Sequence, residues 1–124
     1  MLASPQVSLV DAPRLGKETL MRLRGLLVAD AQVQADQYAE HEAARRQLRD
    51  LMDADSVLER ELAEAGAARA REAMTEIDHA LERLDNGSYG TCESCGRPVP
   101  VERLEAIPAA RFCVACPRRR TGWQ

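Results

Sequence analysis

Between Pro13 and Pro98 the 124-residue chain contains no proline, so on that account nothing stops a helix across most of its length. The window is rich in Ala, Leu, Arg, Glu and Gln, which lose little side-chain freedom in a helix. Pro13 fits a first helical turn and Asp11 offers a cap before it, predicting a first helix from about Pro13 into the upper forties. Asp50, Asp53 and Asp55 mark a break, and Ser56-Val57-Leu58-Glu59 has the form of a capping box that opens a second helix. A tight turn is therefore expected near 49–56. Asn86-Gly87 supplies a left-handed stop that ends the second helix at Asp85, after about 29 residues or ~44 Å at ~1.5 Å per residue.

The second helix carries a sustained heptad alternation through Ala63, Ala67, Ala70, Met74, Ile77, Leu81 and Leu84. Small residues lie toward the turn and large ones toward the base. The first helix grades the opposite way, with Leu15, Leu20, Leu23, Leu26 and Leu27 early and Ala31, Ala35 and Ala39 later, as antiparallel pairing requires. The expected fold is mainly α, an antiparallel two-helix coiled-coil hairpin over 13–87. Gly25 and Gly66 each weaken their helix by up to ~1 kcal/mol. His41 and His79 read as exposed helix residues rather than metal ligands.

Aromatic residues make up only 3% of the chain, and much of the 45% apolar content is alanine, so a thick core enclosing a substrate pocket is not expected. An enzyme is accordingly disfavoured. Met1 to Val10 carries no basic leader segment, and the longest early apolar run is far short of the ~20 residues a membrane span needs, which predicts a cytoplasmic protein. In that compartment Cys92, Cys95, Cys113 and Cys116 stay reduced. Their spacing, C-x2-C-x17-C-x2-C, is that of a four-cysteine zinc site. A two-residue gap lets both thiolates of a knuckle reach one ion, and Gly96 permits the tight turn that aims amides at sulfur. Four sulfurs leave no open coordination position, so a single structural Zn2+ is expected. A redox C-x-x-C pair would need a strand–helix setting that this chain lacks. The finger spans 88–117, with Phe112 beside the metal.

Charge is unevenly distributed. Residues 1–87 hold 11 bases and 17 acids, against 6 bases and 3 acids in 88–124. Within 50–64, Asp50, Asp53, Asp55, Glu59, Glu61 and Glu64 face a lone base, Arg60, so the turn is strongly negative. Arg118, Arg119 and Arg120 form a short basic tail over 118–124. With a net charge of −3, binding to nucleic acid through overall charge is disfavoured and no sequence-specific DNA site is expected.

The run Leu81-Glu-Arg-Leu-Asp-Asn-Gly-Ser-Tyr-Gly-Thr-Cys-Glu-Ser-Cys-Gly, with Val101-Glu-Arg-Leu-Glu-Ala-Ile-Pro108 and Cys113-x-x-Cys116, resembles the DksA/TraR family of bacterial transcription regulators. The resemblance implies a non-enzymatic regulator that binds RNA polymerase without a DNA site. It would insert its coiled-coil arm through the secondary channel and place acidic tip residues near the active centre to modulate initiation. The alternative is a zinc-finger adaptor whose helical arm recruits another protein. The family's Asp-x-x-Asp-x-Ala tip is kept in part by Asp50 and Asp53, but Asp55 stands where alanine belongs. Counting back from Cys92 without gaps instead puts the alanine at Ala54 and the two acids at Arg49 and Met52. Asp50, Asp53, Ala54 and Asp55 are the expected tip. Arg69 matches one basic position that the family uses toward guanosine tetraphosphate or the polymerase, whereas Glu76, Ile107 and Pro117 occupy others without being basic. Weak dependence on the alarmone follows. Pro117 also opposes helix continuation, so the C-terminal helix common in the family is expected to be short.

Overall fold

A computed structural model describes residues 15–116. Asp11, Pro13, Pro117 and the arginines at 118–120 lie outside the described residues, as do the N-terminal segment 1–12 and the tail. The chain forms α1 (Lys17–Gln47), α2 (Ala54–Asn86) and a short α3 (Val101–Ala106). Among the described residues the only strand-like pairing is a single antiparallel bridge between Thr91 and Pro98. The fold is mainly helical. The chain divides into two compact units, one spanning Val28–His79 and the other joining the flanking parts of α1 and α2 to the C-terminal segment.

Within Val28–His79 the two helices pair in opposite directions: Arg71 stacks its guanidinium on the Tyr38 ring at 5.6 Å, and His41 lies against Gly66. The alanine stripe of α2 packs as the heptad pattern requires, with Ala63, Ala67, Ala70 and Ile77 buried and Met74 half-buried. The facing stripe of α1 differs from the expectation. Ala31 is half-buried, but Ala35 and Ala39 are exposed. Their places are taken by Gln34, Tyr38, His41 and Arg45, which recur at the same three-and-four spacing. The reason is volume. Opposite a row of alanines and a glycine, long amphipathic side chains fill the seam with their stems and carry polar ends to its edge. His41 is thus a packing residue. A Cβ built on Gly66 would stand 2.6 Å from the His41 ring, so the glycine is the notch that admits the imidazole.

The turn is shorter than 49–56, because α1 reaches Gln47 and α2 begins at Ala54. Ser56 does not cap α2. Asp53 does, accepting a hydrogen bond from the Ser56 amide on its Oδ2 at 3.0 Å, while Val57 N donates to the Asp53 carbonyl at 3.0 Å. Aspartate caps as well as serine does, and its charge adds a favourable interaction with the helix N-terminus.

In the other unit Leu23, Leu27 and Leu104 are completely buried, with Ala80, Tyr89 and Val99 around them. Leu26, expected on the seam, is 40% exposed, and Leu81 and Leu84 are half-buried. Gly87 ends α2 with φ +86°, and Ser88 N reaches back to the Arg83 carbonyl at 3.0 Å. Salt bridges from Arg22 to Glu105 and from Arg24 to Asp85 tie α1 to α3 and to the end of α2.

Candidate metal centre and acidic turn

The first knuckle is built by a chain reversal after α2. Thr91 and Pro98 pair, Val99 N donates to the Gly90 carbonyl at 2.7 Å, and Cys92 N donates to the Arg97 carbonyl at 2.8 Å. Between these rungs Gly96 adopts φ +78°, a conformation costly for any residue with a Cβ, and its amide returns to the Cys92 carbonyl at 3.0 Å. Ser94 N points at Cys92 Sγ from 3.4 Å, the amide-to-sulfur contact expected of such a turn. The second knuckle is closed by Cys116 N on the Cys113 carbonyl at 3.0 Å. Glu93 N donates to the Arg111 carbonyl at 2.9 Å and holds the two knuckles side by side.

All four Sγ atoms lie within 4.8 Å of one another, with Cys95 and Cys113 at 3.7 Å and Cys113 and Cys116 at 3.6 Å. A tetrahedron with Zn–S bonds of about 2.3 Å has edges of about 3.8 Å, so the donor set fits one zinc ion. Cys92, Cys113 and Cys116 are buried and Cys95 is exposed. Burial raises the Cys92 thiol, but backbone amides of Cys113, Cys95 and Ser94 outweigh it and bring it down to about 6. Burial, joined by the neighbouring Cys113 thiol, lifts Cys116 to about 11. One sulfur is thus prepared as a thiolate, and a divalent cation would supply the charge that the others need to ionise. When bound, zinc would cross-link the two knuckles. Among the described residues no fifth His, Cys, Asp or Glu joins the four sulfurs.

Arg83 was not foreseen from sequence, since arginine is seldom enclosed. It is 7% exposed at the end of α2 and donates to the Ser88 carbonyl at 2.7 Å, to the Thr91 carbonyl, and to Glu93 at 3.2 Å. Glu93, between the first two cysteines, also pairs with Arg111 at 2.9 Å. The guanidinium of Arg83 thereby fastens the knuckle to the helix. Its place three residues after Ala80 and next to Leu84 of the heptad stripe is the one sequence signal of an inward position. Tyr89 donates its hydroxyl to the Pro108 carbonyl at 2.8 Å, and its burial raises that hydroxyl to about 12. Phe112 is half-buried beside Cys113, with the Arg111 guanidinium over its ring at 5.5 Å.

The acidic turn lies in the unit spanning Val28–His79. Asp50, Asp53, Ala54 and Asp55 are all exposed, Asp53 as the cap and the two residues after it in the first turn of α2. Hydrogen bonds from the Ser56 amide and hydroxyl lower the Asp53 carboxyl below the usual carboxylate range. Arg60 turns away from its acidic neighbours and caps the end of α1, donating to the Leu48 carbonyl at 2.6 Å and the Leu51 carbonyl at 3.0 Å. The one base of the segment is therefore spent on the backbone. Arg69 is exposed on α2.

Residues 87–122 match the family described as the prokaryotic dksA/traR C4-type zinc finger. The chain is 42% identical over 71 residues to the RNA polymerase-binding transcription factor DksA of Caulobacter vibrioides, covering 56% of this chain and 50% of that protein. It is 48% identical over 44 residues to general stress protein 16O of Bacillus subtilis, covering 36% of this chain and 27% of that protein. It spans half or less of the length of these curated relatives. Among solved structures, transcription factor DksA2 from Pseudomonas aeruginosa superposes with a TM-score of 0.78 and 26% identity over 91% of each chain.

Proposed function

We propose that this chain is a member of the DksA/TraR family, whose C4-type finger it matches and whose fold it shares, and that it binds RNA polymerase directly and regulates transcription initiation. In this reading the paired helices enter the secondary channel and Asp50, Asp53, Ala54 and Asp55 act near the active centre. The observation that carries it is the DksA2 likeness over 91% of both chains, combined with four sulfurs in tetrahedral reach of one ion. The exposed carboxylates of the turn support the role assigned to the tip. Six acids against Arg60 alone within 50–64 give the segment a net negative charge to present to basic or metal-associated groups.

Co-purification with core polymerase tests the binding, and in vitro transcription tests the effect. Neutralising the tip with Asp50→Asn, Asp53→Asn and Asp55→Asn is expected to leave binding largely intact and to abolish the transcriptional effect. Asparagine caps a helix as well as aspartate, so the fold of the turn is preserved. Loss of both properties together would count against a tip acting separately from the binding surface. Guanosine tetraphosphate is expected to change the effect little, because Arg69 lacks basic companions at Glu76, Ile107 and Pro117. A large synergy with the alarmone in the same assay would contradict that.

A further inference from the structure

Outward positions on α2 are mostly charged, among them Glu59, Glu61, Glu72, Asp78 and Glu82. Two leucines break this rule: Leu58 is 56% exposed and Leu62 is 62% exposed, and they are the helix's only exposed large apolar residues. They lie four residues apart and so form one continuous strip. The turn that precedes them adds Leu51, 45% exposed, and Met52, 78% exposed. Four large apolar side chains thus meet solvent within twelve residues of sequence, all in the unit spanning Val28–His79. The two leucines flank the seam without closing it: Gly66, four residues on from Leu62, is buried, whereas Leu58 and Leu62 are each more than half exposed. Asp55, Glu59 and Glu61 border the strip on the same helix, and the one base within 50–64, Arg60, donates to the Leu48 and Leu51 carbonyls. A greasy strip framed by unpaired carboxylates is complementary to an apolar groove whose rim carries lysine or arginine.

We propose that Leu58 and Leu62, with Met52 of the preceding turn, are the apolar anchor by which this chain docks into a basic-rimmed groove of RNA polymerase. This rests on the polymerase reading above and divides its work: the strip holds, and the carboxylates of the turn act. Burial of two leucines that water now reaches supplies affinity that salt does not screen, whereas the acidic frame supplies register and encounter rate.

The test uses the full chain carrying Leu58→Gln and Leu62→Gln, with binding to core polymerase measured by fluorescence anisotropy at low and high ionic strength. Glutamine keeps the length and the helix propensity of leucine, so helicity and melting temperature should not change. Affinity is expected to fall by about tenfold to a hundredfold, with the larger relative loss at high salt, where little but the apolar contact remains. Leu58→Met with Leu62→Met should bind as the unmodified chain does. Should the double glutamine variant lose helicity, Leu62→Gln alone serves, with a loss of several-fold. Unmodified chain that binds, together with a helical glutamine variant that binds equally well, would overturn the anchor while leaving the polymerase reading intact. Failure of the unmodified chain to bind would remove both. A concentration-dependent dimer abolished by the glutamines in sedimentation would assign the strip to a second copy of the chain and likewise overturn the proposal.

Discussion

Gly66 and His41 are the clearest case of two residues whose meaning is a contact. Read singly, Gly66 is a weak point in a helix and His41 an ordinary surface residue. Together they are a knob and its socket, and nothing in the spacing of either helix signals that a histidine faces a glycine across the seam. Gly66→Ala gains up to about 1 kcal/mol of helix propensity but sets a methyl group 2.6 Å from the imidazole. Overpacking of this kind costs about 1–3 kcal/mol, so the variant is expected to melt below the unmodified chain. In a His41→Ala background the same substitution should become stabilising. Thermal melts of the four chains by circular dichroism check the reversal of sign. Arg83 was hidden for a related reason: its burial depends on carbonyls of Ser88 and Thr91 that point inward only once the first knuckle has formed.

At the scale of elements, two helices, their direction and the Asn86-Gly87 stop could all be read from proline placement, helix formers and one glycine. The stripe of α2 was legible because alanine and isoleucine repeat on it without interruption. That of α1 was half concealed, since Gln34, Tyr38, His41 and Arg45 are seam residues only because their partners are small. The start of α2 was displaced by three residues because aspartates and serine crowd the turn and each is a competent cap. The observed cap makes a pH-dependent contribution. Asp53 titrates below its unfolded value, so its stabilisation is fully present above the unfolded carboxyl pKa and disappears as pH falls through the lower folded value. Asp53→Ala should therefore lower the melting temperature at neutral pH and make little difference in strong acid, whereas Asp53→Asn, whose amide does not titrate, should melt close to the unmodified chain at neutral pH and above it in strong acid. Melting curves collected across the acid range distinguish the three chains.

For the molecule as a whole, the spacing of four cysteines disclosed the metal centre before any geometry was known, because a C-x2-C pair can converge on an ion almost regardless of the rest of the fold. The framework that aims them could not be read: the Thr91–Pro98 pairing, the Arg83 clamp and the Glu93 bridge are formed by backbone reversals and long side chains. Metal removal should therefore act selectively. Stripping one zinc per chain with a chelator is expected to release four reactive thiols and to speed amide exchange across 88–116 far more than across 28–79. Hydrogen-exchange mass spectrometry with a thiol titration checks both, and uniform loosening of the chain would contradict a centre whose bonds serve its own unit. One asymmetry of that centre bears on its turnover. Three sulfurs are enclosed and only Cys95 stands at the surface, so Cys95 is the ligand at which a bound ion would be most open to a competing chelator.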